Sequence, residues 1–250
     1  MKLYGLIGFP LGHSFSAAFF EQKFGREGID ALYRNFELSD IGQFTELLAE
    51  IPDIEGLNVT IPYKQQIIPY LTSLSPQARA IGAVNVVKVR KDADGNVIGL
   101  EGHNTDCPAF ARTLASLLPI DCPTALVLGS GGASKAVCVA LDSLGIKYTV
   151  VSRTPQSGQI SYNDISQDVI IRNKVIINTT PLGMHPKIDE CPDIPYDAIT
   201  VNHICYDLVY NPEETLFLKK ASERGARICN GLNMLHLQAL LSWQIWNTEC

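Results

Sequence analysis

The chain has 250 residues, room for two compact domains, and 46% hydrophobic against 18% charged residues is the balance of a globular protein. A net charge of −6 with no long Lys/Arg run argues against a general nucleic-acid surface. The apolar start from Leu3 to Leu11 is broken by Gly5, Gly8 and Pro10, so it is not read as a signal peptide, and no stretch approaches the length of a membrane span.

Lys2 to Gly8 reads as a buried strand leading into the loop Phe9 to Ser16. A helix follows from about Ala17, with Phe20 and Phe24 one turn apart and Gly28 as its stop. Ser14 and Ser16 therefore stand at a helix N-terminus. One hydroxyl can serve as the cap; as a pair following a strand they also make a seat for an anion.

Tyr33 to Leu38 reads as another strand, and Asp40 with Gln43 forms a capping-box pattern ahead of Phe44, Leu47, Leu48 and Ile51. Gly56 to Thr60 is strand-like, and Pro62 suits the first position of a helix. Asn58, Thr60 and Lys64 then lie where a strand gives way to a helix, the place where α/β sheets hold their ligands. Considered alone, Lys64 is a surface charge. Ser75-Pro76 opens a short helix to Ala80 that Gly82 ends, and Ala83–Arg90 and Asn96–Leu100 flank the hairpin signal Asp94-Gly95. Gly102-His103-Asn104-Thr105-Asp106 precedes a helix over Ala109–Leu118, with Asp106 within N-cap range, and Pro119 to Pro123 is a connector.

Thr124 to Ser152 is the stretch around which the chain is organised. A strand over Thr124–Leu128 meets Gly129-Ser130-Gly131-Gly132-Ala133-Ser134, a helical pattern runs from Val137 to Leu144, Gly145 stops it, and Lys147–Val151 is the next strand. Glycines between a first strand and its helix let the backbone approach a pyrophosphate, and the helix N-terminus favours its charge. A dinucleotide site follows. NAD sites usually carry Asp or Glu at the end of the second strand, on the ribose 2′-OH. Here Ser152-Arg153-Thr154 stands there, with no acid between Gly145 and Asn163, which suits a 2′-phosphate and favours NADP.

From Ser152 to Asp168 the chain is polar and poorly patterned. Lys174–Asn178 and Cys205–Val209 read as strands, and Asn211-Pro212-Glu213-Glu214 reads as a helix start, with Gly225 ending that helix. Arg227-Ile228 is a last short strand. A terminal helix from Leu232 to Trp246 carries Leu232, Leu235, Ala239, Leu240, Trp243 and Trp246 on one face. Seven cysteines without a C-x-x-C pair fit reduced thiols in a cytoplasmic protein. The five histidines show no metal-ligand spacing, so no metal is expected.

In this order the motifs resemble shikimate dehydrogenases over nearly the whole chain: Gly12–Ser16, Asn58–Lys64, Ile81–Asn85, Gly102–Asp106, the glycine turn, Asn178–Met184, Tyr206–Pro212 and Gly231–Gln238. The resemblance implies an α/β fold of two parts. Residues 1–105, joined by 232–250, form a substrate-binding and catalytic domain; residues 106–231 form a Rossmann-like NADP-binding domain, and the C-terminal helix packs back on the first. It implies an NADP-dependent oxidoreductase that reversibly reduces 3-dehydroshikimate to shikimate, working on small molecules as a monomer or homodimer. By the same resemblance Lys64 and Asp106 are the catalytic pair and Ser14 and Ser16 hold the substrate carboxylate. Thr60, Asn85, Tyr210 and Gln238 surround the ring hydroxyls. Gly129, Ser130, Gly131, Gly132, Ala133, Ser152, Arg153, Thr154, Thr179, Gly231 and Met234 form the cofactor site.

Departures are visible as well. Ala17 and Phe20 stand in the stretch where the family usually has Pro and His-Asn, which predicts altered helix packing. Ser157 replaces a further basic residue, so the grip on the 2′-phosphate is expected to be looser. Two other readings compete. One is a quinate/shikimate enzyme of the same fold with broader substrate or NAD use, against which Arg153 speaks. The other is a catalytically silent NADP-binding regulator, against which the retention of both Lys64 and Asp106 speaks.

Overall fold

A computed structural model describes residues 1–12, 15–118 and 123–248. By contacts the chain divides into two compact units, Met1–Thr105 with His236–Cys250, and Asp106–Leu235.

The first unit is built on six strands, β1 (Lys2–Gly8), β2 (Ala31–Glu37), β3 (Ile54–Val59), β4 (Ser73–Leu74), β5 (Val86–Lys91) and β6 (Val97–His103), in the order β2-β1-β3-β5-β6-β4. β1 pairs parallel with both β2 and β3, while β5 runs antiparallel to β3 and β6. Six consecutive residues of β1 are buried, as a central strand covered on both faces requires. One face packs Ile7, Leu57, Val59 and Val87 against Phe44 of α2 (Gln43–Glu50). The other packs Tyr4 and Tyr33 against Phe20 and Phe24 of α1 (Phe15–Glu27) and Trp246.

Several expected boundaries hold for local reasons. In α3 (Pro76–Ile81) the Ser75 side chain accepts the N–H of Ala78, Pro76 fills the first turn, and Gly82 closes the helix in a left-handed conformation at φ +67°. Others move. The capping box at Asp40 is only half made: Gln43 Oε1 accepts the Asp40 N–H at 3.3 Å, but Asp40 Oδ1 takes the Gly42 N–H, so α2 starts at Gln43. No α-helix follows Pro62; residues 61–67 form successive turns, ending in a 3₁₀ turn over Ile68–Tyr70. The Lys64 carbonyl, which a helix would commit to residue 68, instead accepts the Val84 N–H at 2.7 Å, and the Ile68 N–H turns to Gln65 O.

The second unit carries α4 (Asp106–Ala115), β7 (Ala125–Leu128), α5 (Gly132–Ser143), β8 (Tyr148–Val151), β9 (Gln159–Ile160), α6 (Gln167–Arg172), β10 (Val175–Asn178), β11 (Ile204–Asp207), α7 (Leu216–Ser222) and β12 (Arg227–Cys229). Its sheet runs β12-β11-β10-β7-β8-β9 with every pairing parallel. This is the doubly wound strand order, and the chain reverses direction across the sheet between β7 and β10. The polar stretch after Ser152 hides β9, which extends the sheet beyond β8. α5 begins five residues before Val137. α7 begins at Leu216 and not near Pro212, because the Thr215 side chain accepts the Leu218 N–H and sets the cap there.

α8 (Leu232–Asn247) spans the division between the units, which falls between Leu235 and His236. Its buried stripe differs from the apolar face expected. Gln238, Ala239, Ser242 and Trp246 are buried, whereas Leu240 is 41% exposed. Ser242 is drawn inward by Asn58 on the first sheet. Among the described residues, no helix is long and apolar enough to cross a membrane, and no group of three or more His, Cys, Asp or Glu side chains is placed to hold a metal ion.

Candidate functional site

In the first unit, polar side chains gather at the sheet edge where β3 ends, β5 begins and β6 ends. Thr60 follows β3 directly, its N–H donating to Ile7 O at 2.9 Å. The bond from Val84 N–H to Lys64 O fastens the Thr60–Lys64 turn beside the start of β5. Asn85 is buried there; its Oδ1 accepts the Thr105 N–H at 2.7 Å and its Nδ2 donates to Thr105 Oγ1 at 3.0 Å. On β3, Asn58 donates through Nδ2 to Ser242 Oγ at 2.9 Å and to Asn85 O at 3.3 Å, and its Oδ1 accepts the Tyr33 hydroxyl at 2.8 Å. Ser242 Oγ in turn donates to Gln238 O at 2.8 Å, one turn back along α8. Burial drives the Tyr33 phenol far above its ordinary pKa, with the nearby Ser16 of α1 a smaller, opposing influence.

Thr60, Lys64, Asn85 and Gln238 are thus brought to one edge of one sheet, and Ser16 stands in the first turn of α1. Ser14 lies outside the described residues. Asn58, placed by its sequence position at a ligand-bearing strand end but given no role, ties these positions together with Tyr33, Thr105 and Ser242, which were not singled out as site residues. Their one signal in the sequence is Ser242, a polar residue four positions after Gln238 within an apolar helix.

In the second unit the glycine turn lies at the carboxyl end of β7, at the switch point. Gly129 has φ +110°, and a Cβ there would meet Thr179 Oγ1 at 2.7 Å, so only glycine fits. The Gly129 N–H donates to Val151 O at 2.9 Å, Ser130 Oγ lies 2.9 Å from Ser152 Oγ, and Ser152 Oγ accepts the Thr154 N–H at 3.3 Å. Thr179 donates to Leu128 O through both N–H and hydroxyl. The turn Gly129–Ala133, the stretch Ser152–Thr154 and Thr179 therefore form one cluster over β7, β8 and β10. Gly131 caps α5 with extended backbone and no side-chain hydrogen bond, which leaves the first N–H groups and the helix dipole to an anion. Arg153 is exposed beside this anion seat. Such a donor set fits a dinucleotide diphosphate, and Arg153 fits a 2′-phosphate.

Asp106 is the first residue of α4, inside the helix and not its cap, where the dipole favours a carboxylate. Tyr210 follows β11 and is 37% exposed, with desolvation raising its phenol pKa. Gly231 packs directly on the Leu208 carbonyl, which no side chain would permit, and Met234 is buried in the first turn of α8. A second buried network fixes the loops bearing Thr179 and Tyr210. Asp207 accepts Asn178 Nδ2 at 3.0 Å, the Val209 N–H at 2.9 Å and Thr215 Oγ1 at 2.6 Å, while Asn178 Oδ1 accepts from Thr180. Desolvation outweighs those donors and pushes the Asp207 carboxyl up to about 6.

Residues 6–87 match the shikimate dehydrogenase substrate binding domain. Over 263 residues the chain is 39% identical to a shikimate dehydrogenase (NADP(+)) of Methanococcus maripaludis (strain C7), an alignment covering 98% of this chain and 91% of that protein. A chorismate mutase/shikimate 5-dehydrogenase fusion protein from Clostridium acetobutylicum superposes with a TM-score of 0.87 at 38% identity, covering 98% of this chain and 91% of that one. The shikimate 5-dehydrogenase of Thermus thermophilus, solved in complex with NADP(H) and shikimate, superposes with a TM-score of 0.85 at 30% identity, covering 99% of this chain and 94% of that one.

Proposed function

The chain belongs to the shikimate dehydrogenase family, and on that premise we propose a role for each of its two units. The protein is an NADP-dependent oxidoreductase acting on a CH–OH group, and it reversibly reduces 3-dehydroshikimate to shikimate in the shikimate pathway. The first unit binds the substrate and the second binds NADP. When bound, the reduced nicotinamide supplies the hydride.

The chain's own residues supply orientation and the proton. Ser14 and Ser16 hold the substrate carboxylate, and Thr60, Asn85, Tyr210 and Gln238 take the ring hydroxyls. Reduction of the ketone places negative charge on its oxygen, and Lys64 donates to that oxygen; in the reverse direction Lys64 takes up the proton that the hydroxyl loses. Asp106 orients Lys64 and the reacting oxygen. In the second unit the amides of Gly129–Ala133 and the α5 dipole hold the diphosphate, with Arg153, Ser152 and Thr154 at the 2′-phosphate. Thr179, Gly231 and Met234 line the remainder of the cofactor site.

One observation carries this reading best: an uncapped helix N-terminus at the switch point, with Arg153 standing where an NAD enzyme would place an acid. Initial rates with shikimate and quinate, each paired with NADP and NAD and followed by absorbance of the reduced nicotinamide, test it. Shikimate with NADP is the expected best pair. A quinate rate equal to that of shikimate would overturn the substrate, equal use of NAD would overturn the role of Arg153, and a folded protein that binds NADP yet oxidises neither alcohol would be a regulator.

A further inference from the structure

We propose that Thr105 is a positioning residue that grips the Asn85 amide by both of its ends, and so sets which end of that side chain offers a proton, and which a lone pair, to a substrate hydroxyl. The inference rests on the assignment of Asn85 to the ring hydroxyls.

The direction of each bond follows from groups that have no choice. A backbone N–H can only donate and a backbone carbonyl can only accept. The Thr105 N–H lies 2.7 Å from one end of the Asn85 amide, so that end is Oδ1, and the end 3.0 Å from Thr105 Oγ1 is Nδ2. The Thr105 hydroxyl therefore accepts. Its own proton is left to point at Ser242 Oγ, a long contact at 3.5 Å, because Ser242 has given its proton to Gln238 O at 2.8 Å. Two groups of one residue thus close a fork on the edge of the amide that carries Oδ1 and one Nδ2 proton.

The backbone of Asn85 is held as well. Its N–H donates to His103 O at 3.1 Å, and its carbonyl accepts the Val59 N–H at 2.9 Å and Asn58 Nδ2 at 3.3 Å. Asn85 is 3% exposed and Thr105 1%. A primary amide has two protons and two oxygen lone pairs, and the fork takes one of each. The remaining proton and lone pair diverge from opposite ends of the amide, so no single ligand atom takes both. A hydroxyl at the nitrogen end meets a donor, and one at the oxygen end meets an acceptor. Turning the amide over would mismatch both. The Thr105 N–H forbids that orientation, since it would then face an NH₂ group. The Thr105 hydroxyl fixes the angle, so the amide is ordered before substrate arrives and gives up less freedom on binding.

The test is a double-mutant cycle on shikimate affinity, by calorimetry and by KM, with Thr105→Val and Asn85→Ala, and with Thr105→Ser as the rescue. Thr105→Val keeps the side-chain shape and the backbone N–H but removes the acceptor. Its shikimate Kd is expected to rise about two- to tenfold, the worth of one neutral hydrogen bond, with the effect on KM for shikimate and not on kcat or the Kd for NADP. Thr105→Ser keeps the hydroxyl and should bind shikimate as the wild type does. Asn85→Ala raises Kd, and adding Thr105→Val to it changes nothing further. Several results overturn the inference while leaving the role of Asn85 intact: an unchanged Kd in Thr105→Val, the same rise in the absence of the Asn85 amide, or a Thr105→Ser protein as weak as Thr105→Val. A lower kcat at unchanged Kd does so too, since Thr105 would then act through the neighbouring Asp106. An Asn85→Ala protein that binds shikimate like the wild type overturns the assignment of Asn85 itself, and the inference with it. Should Thr105→Val not fold, Thr105→Ala removes the same acceptor without placing a methyl group where the hydroxyl was, and its Kd is read in the same way.

Discussion

At the scale of single residues, two side chains carry the sharpest expectations. Arg153 is exposed just past the end of β8, and its proposed partner is the 2′-phosphate of the cofactor. Losing a charge-assisted contact costs about 1.5–3 kcal/mol, or roughly tenfold to a hundredfold in affinity. Arg153→Ala should raise KM for NADP by that factor and leave KM for NAD almost unchanged; an equal loss with both cofactors would make Arg153 structural. For Lys64, general acid–base catalysis is worth about 10²–10⁴-fold. Lys64→Ala should lower kcat by that order with shikimate affinity much less affected, and near-normal kcat in a folded variant would sink its role. Candidates of this kind were legible because the motifs that bear them are contiguous in sequence. Tyr33 and Ser242 were not, since the bonds that define them run to residues 25 and 184 positions away from Asn58. No local pattern reports a partner at that distance.

Elements are set by caps and by what their carbonyls are asked to do. Ser75, Pro76 and Gly82 act within one helix, and their reading stands. Pro62 and the Asn211-Pro212 pair mislead because tertiary bonds from Val84 and through Thr215 override a locally plausible helix start. The Asp207 network joins β10, β11 and the cap of α7, and it gives the second unit a pH signature. Its folded pKa, near 6, lies above the ordinary 3.8, so the fold prefers the protonated acid. The stability this preference confers is fully present below pH 3.8 and is lost as pH rises to about 6, a change of about 3 kcal/mol. Denaturation of the wild type and of Asp207→Asn across pH 4–7 measures it: the wild type should lose ground to the variant as pH rises, and a constant difference refutes the shift. On α8, Trp246 stacks on Tyr4 at 4.8 Å, covers Gly56 and donates through Nε1 to Val87 O at 3.0 Å. Trp246→Ala should destabilise the first unit by about 3–5 kcal/mol in chemical denaturation.

For the whole molecule, the parallel strands of the second unit and its glycine turn could be read from apolar runs and turn residues. The extra edge strand β9 could not, because two residues carry no periodicity. The contact division makes one unit a single stretch, 106–235, and the other a composite of 1–105 and the segment after 235. Expressed alone, residues 106–235 should give a cooperatively unfolding protein with helical and sheet circular dichroism. Residues 1–105 should do so only when a peptide spanning 236–248 is added, and a cooperatively folded 1–105 fragment would refute the dependence.

That composite unit has a consequence for how the protein is made. Tyr4 and Asn58 leave the ribosome early, while Trp246 and Ser242, which stack on the one and bond the other, are still untranslated. The later unit is the first that can close, since all of its chain is available once residue 235 has emerged, and folding during synthesis proceeds by whole units. For much of translation the nascent chain thus trails an N-terminal sheet with an uncovered aromatic face. Chaperones that bind exposed apolar surface should meet it there, and ribosome stalling before residue 236 should prolong that encounter.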